Sequence, residues 1–181
     1  MKNNVAELYL ADVAGQFRDL KRLAEKAIAQ LSDDQLVATL DEEANSISAL
    51  MKHVGGNLRS RFTDFLASDG EKPDRHRDTE FDVSDDTKAT IVKRWEEGSQ
   101  CLFDALESLA DDDLAKTVCI REEAHSVVKA VNRAMSHSAV HVGQIVLLAK
   151  HFRGNDWKSL SIPRGKPEEL NARMQEKRAG L

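Results

Sequence analysis

The chain has 181 residues, 41% hydrophobic and 31% charged, the balance of a globular protein and not of a disordered or fibrous one. Its formal net charge of −5 argues against a primary nucleic-acid binder, which needs a basic face. With 3 Pro and 9 Gly, turn punctuation is sparse, which favours long helices over many short strands.

At this length the simplest organisation is one domain over residues 1–181. The N-terminal "MKNNVAELYLADVAG" has no long apolar run, so it does not read as a signal peptide. From Val5 to Leu31 the apolar residues step by three or four, which predicts a first amphipathic helix, with "SDD" after Leu31 as its stop. Asn45 or Ser46 can cap a second helix that carries Ile47, Leu50, Met51, Val54, Leu58 and Phe62 and ends near Leu66. The highly charged stretch at about 67–84, with a Gly, a Pro and no apolar period, predicts a loop. Ser84 or Asp85 can cap a third helix running to about Leu109. "LADDDLAKTVCIREEAH" breaks the pattern, and its "KTVCI" can pair briefly as a strand. A fourth helix is predicted from about Ser126 to Phe152, followed by a charged tail from about residue 154.

Four long periodic segments predict an all-α fold, most simply a four-helix bundle. No apolar run reaches membrane-spanning length; "VHVGQIVLLA" is too short and is bounded by Lys150 and Arg153. Cys101 and Cys119 lie outside any CxxC spacing and read as reduced packing residues of a cytoplasmic protein.

The chemistry concentrates in "MSHSAVHVGQIVLLA". His137 and His141 are four apart on the fourth helix and point the same way, which supplies half of a transition-metal site. A third ligand has to come from a facing helix. His53, at mid-length in the apolar "LMKHVGGNLRSRF", is the candidate. A histidine on an apolar face is often just a hydrogen-bonded core residue, but one ion satisfies all three buried imidazoles together. Arg133 and Gln144 share the stripe of the fourth-helix pair, and Asn57 and Arg61 share that of His53. These four are the candidate substrate contacts. His76 and His125 fall in loops and His151 points elsewhere, so all three read as surface residues.

The segments "GGNLRSRFTDFLASDGEKPDRHRDTEF", "HSAVHVGQIVLLAKH" and "LSIPRGKPEELN" together resemble the DinB/YfiT-like superfamily, and within it an uncharacterised bacterial branch of unknown function. The resemblance implies an up-down-down-up four-helix bundle, often dimeric, holding a divalent metal on three histidines that correspond to His53, His137 and His141. It also brings in bacillithiol S-transferases and a mycothiol-dependent maleylpyruvate isomerase as relatives. Relatives tend to carry aromatic residues where this chain has Ser138, Ala139 and Asp74.

The resulting expectation is a cytoplasmic divalent-metal enzyme, with zinc or nickel as the ion. Its chemistry would be that of a thiol transferase or a hydrolase, on a small anionic substrate, with a low-molecular-weight thiol as the candidate cofactor. The alternative is a non-catalytic metal-binding dimer, structural or stress- and metal-sensing. Neither reading involves nucleic acid or membrane, and both expect a homodimer. No convincing general base is visible, although the charged loop could fold over the site.

Overall fold

Ser46 accepts the amide of Ala49 and opens a helix whose every residue from Ile47 to Gly55 is buried. That helix is the centre of the molecule. The computed structural model describes residues 5–162 and, beyond them, Gly165, Glu168, Asn171 and Gln175. Four long helices dominate the described residues: α1 (Val5–Ile28), α3 (Ile47–Phe62), α4 (Lys88–Ser108) and α5 (Val127–Arg153), with a short α2 (Asp33–Val37) after the first. A hairpin of β1 (Thr117–Ile120) and β2 (Glu123–Ser126) leads into α5. The structure is mostly helical with one small sheet, and none of the described helices is long and apolar enough to cross a membrane.

The helices pair by their apolar stripes. α3 lies along α4, α1 lies along α5, and α5 also packs on α3. Phe17, Met51, Val54, Trp95, Leu102, Val131 and Ile145 meet in one buried cluster that all four long helices share. The α3–α4 contact is close enough to need glycine on both sides. A Cβ on Gly98 would overlap the backbone of Gly55, and one on Gly55 would press on the carbonyl of Arg94.

Several boundaries differ from the sequence expectation. α1 stops at Ile28, and the "SDD" that ends it also starts α2, because Ser32 and Gln35 form a capping box. α3 ends at Phe62, where the Thr63 hydroxyl bonds back to the Arg59 carbonyl and Asp64 adopts a positive φ. The cap of α4 is Thr87, not Ser84 or Asp85, since Thr87 and Thr90 exchange side-chain and backbone bonds. "KTVCI" does pair, with "EAHS" as its partner. Cys101 and Cys119 are free, and Cys119 is exposed instead of packed. Part of the expected tail is docked: Lys158 exchanges two hydrogen bonds with Gln30, in the turn just past α1, at 2.8 and 3.0 Å. The charged end beyond it falls largely outside the described residues, as does most of "SIPRGKPEEL".

The loop between α3 and α4 is anchored at both ends. Near its start, Gly70 donates to the Cys119 carbonyl of β1 at 2.8 Å and accepts from Ser60 and Arg61. Near its end, Lys52 of α3 pairs with Asp86 at 2.8 Å and also bonds the Asp82 carbonyl. Between these anchors a 3-10 turn, Arg77–Glu80, is laid against α3.

Candidate metal centre

α3 and α5 present their histidines to each other at mid-length. His53 is buried and His137 and His141 are half-buried. The ring centroids of His53 lie 5.2 Å from each of the other two, and those of His137 and His141 are 4.6 Å apart. One nitrogen from each ring falls within 4.8 Å of the others, so the trio could hold a metal ion. Two nitrogens bound to one tetrahedral zinc, at about 2.0–2.1 Å each, stand roughly 3.3 Å apart. His53 Nε2 and His137 Nε2 are separated by 3.2 Å. That pair is spaced as two donors of one divalent ion are.

The surroundings fix which nitrogen faces inward. His53 Nδ1 donates to Glu80 Oε2 at 2.9 Å, which leaves Nε2 with its lone pair toward the other rings. Arg75 in turn donates from Nε and Nη2 to the two oxygens of Glu80, at 2.9 and 3.1 Å. Gly56 makes this possible, because a Cβ there would overlap the Glu80 carboxylate. His141 Nδ1 donates to Gln144 Oε1 at 2.8 Å, which again frees Nε2. A carboxylate or amide behind a ligating imidazole is the usual outer shell of a histidine metal site. His137 has no such partner: its Nδ1 is buried without a hydrogen bond.

Burial, and after it the neighbouring His141 and His53, push the pKa of His137 down to about 4. Burial also lowers that of His141, against the bond to Gln144. Both are therefore neutral at pH 7, the form that ligates. Burial alone would raise the Glu80 carboxyl, but the bonds from His53 and Arg75 outweigh it and hold it below the usual carboxylate range. Glu80 is thus an ionised orienting group with its oxygens committed, and a poor general base.

A cavity of about 190 Å³ opens beside the histidines. Among its lining residues are His53, Asn57, Arg61, Arg133 and His137. The stripes read from the sequence therefore do converge. Arg61, however, is buried and tied to Gly70 O at 2.5 Å and to Glu71 at 3.0 Å, so its guanidinium holds the loop in place. Gln144 orients His141 and is not among the residues lining the cavity. His76 and His151 are exposed as expected. His125 is not: it is buried on β2, and the brief strand pairing that places it there was recognised from the sequence only for its partner strand. Asp64 lies beyond the end of α3 and lines a different cavity.

The sequence reading missed Glu80, Arg75, Arg77 and Arg121. All four sit in segments without periodicity, where no face can be inferred. The one local signal was the double glycine after His53. Gly55 answers to α4, and Gly56 leaves room for a group from elsewhere in the chain.

A sequence model of the family described as Protein of unknown function (DUF1572) matches residues 4–166. No curated protein matches the chain.

Proposed function

We propose that this chain, which belongs to the family of unknown function DUF1572, is a divalent-metal protein whose centre is formed by His53, His137 and His141. The observation that carries this reading is the convergence of three imidazoles from two helices, two of them oriented by Glu80 and Gln144. Three nitrogen ligands leave at least one position open, as in catalytic and unlike structural zinc sites. With zinc or nickel bound, such a centre supplies a Lewis acid that activates a water or a thiol at neutral pH. Burial keeps His137 and His141 neutral, Glu80 and Gln144 aim His53 and His141, and the arginine-lined cavity beside them admits a small molecule. Thiol transfer or hydrolysis is the matching reaction class, with a low-molecular-weight thiol as a candidate cofactor.

This reading places the chain with the DinB/YfiT-like superfamily, as one up-down-down-up bundle domain acting in the cytoplasm without nucleic-acid or membrane partners. Val140 and Leu147 of α5 are 62% and 65% exposed, which supports a homodimer. A second reading, a non-catalytic metal-binding dimer with a structural or sensing role, is favoured by one observation. Glu80, the carboxylate hydrogen-bonded to His53, is also held by Arg75 and so is committed to orienting instead of taking a proton.

Cobalt-loaded protein separates the two. An open position predicts visible bands that shift when azide or a small thiol is added. Bands indifferent to every added ligand would remove the enzymatic reading and leave the second.

A further inference from the structure

Among the described residues, the cavity beside the histidines is lined by five arginines, Arg61, Arg75, Arg77, Arg121 and Arg133, and by no carboxylate. This occurs in a chain of net charge −5. Three of the five are already answered from behind the wall. Glu71 pairs with Arg61 at 3.0 Å and Arg121 at 2.9 Å, and Glu80 pairs with Arg75. Against those two carboxylates the wall keeps a surplus of three positive charges. The remaining two guanidiniums, of Arg77 and Arg133, are exposed and have no hydrogen-bond or ion-pair partner among the described residues. They come from different elements. Arg133 lies one turn before His137 on α5, and Arg77 opens the turn that ends in Glu80.

Like charges gathered around a small concavity repel one another unless a ligand neutralises them. Guanidiniums recognise planar or tetrahedral oxyanions by paired N–H donors, which a surface scatter of arginines would not require. At about 190 Å³ the space is smaller than the ~300–1,000 Å³ of pockets for drug-sized ligands. We infer that the cavity binds a small molecule bearing a carboxylate or a phosphate, with its anionic end on Arg77 and Arg133 and its other end toward the three histidines. Arg61, Arg75 and Arg121 shape the wall and set its potential. This inference deepens the metal reading by naming the substrate class. It also moves the anion contact from Arg61 to Arg77.

The test is calorimetric titration of the full chain with succinate, inorganic phosphate and neutral succinamide. Each titration is run on zinc-loaded and on chelated protein of measured metal content. Succinate or phosphate binds and succinamide does not; whichever of the two binds more tightly identifies the headgroup. The Arg77→Gln/Arg133→Gln double variant binds that anion at least tenfold more weakly, with metal content and circular dichroism unchanged. The chelated arm shows the same ratio, which separates guanidinium recognition from direct ligation of the ion. Equal affinity in wild type and double variant, or no anion binding in either arm, overturns the inference while leaving the metal reading intact. Failure of wild type to take up zinc overturns the metal reading, and the chelated arm still decides this one.

Discussion

Glu80 connects the loop to the centre, and its removal tests whether the outer shell matters. Glu80→Gln keeps the size of the side chain but removes the charge that holds His53 Nδ1–H and Arg75. The expected result is a 10–100-fold loss of metal affinity by chelator competition, with helical content retained. Gly56→Ala should act in the same direction without touching either partner, because its methyl group displaces the carboxylate. Unchanged affinity in both variants would mean that His53 is oriented by its packing alone, for instance against Phe81, whose ring lies 6.0 Å away. The three histidines were legible in the sequence because helical spacing reports which side chains share a face. Glu80 and Arg75 were not. They reach the site through a loop whose path is set by anchors at Gly70 and Asp86, and no spacing rule reports a path.

Helices were legible as elements, and their ends were less so. Ser46 was one of the two caps expected for its helix and Ser126 the expected start of another, because each directly precedes an apolar periodic run, and both prove to be caps. Thr87 was passed over for Ser84 or Asp85, although its bond with Thr90 decides the start of α4. The hairpin shows why non-local contacts escape the sequence. Arg121 and Glu122 both have positive φ, a costly conformation for residues other than glycine, and Asp69 accepts the backbone N–H of each, at 2.9 and 2.8 Å. Backbone hydrogen bonds, first that from Glu71 and then that from Glu122, hold the Asp69 carboxyl at about 2, below its ordinary 3.8. A carboxyl depressed on folding stabilises above its unfolded pKa, and that contribution is lost as pH falls through its folded one. Asp69→Asn should therefore lower Tm at pH 7, and the gap to wild type should narrow below about pH 4 in thermal melts at pH 5, 4 and 3. A gap that stays constant with pH would show that the ionised form is not what secures the turn. At the α3–α4 crossing, Gly98→Ala forces a methyl group into the Gly55 backbone and should cost about 1–3 kcal/mol in urea unfolding, with unchanged metal stoichiometry.

At the scale of the whole molecule, charge is distributed in a way that composition conceals. A net charge of −5 gave no hint that five arginines line one cavity beside the histidines. The extensive core shared by α1, α3, α4 and α5 should hold the fold without an ion. Chelation should then lower Tm only by the binding linkage and leave helical circular dichroism nearly unchanged, whereas collapse of the helical signal would mark the ion as a structural staple. The most direct measurement of the central claim is elemental analysis of protein purified without a polyhistidine tag, set beside the His53→Ala/His137→Ala/His141→Ala variant. The account predicts about one divalent ion per wild-type chain and loss of nearly all of it in the folded variant. Equal metal content in the two proteins would contradict it.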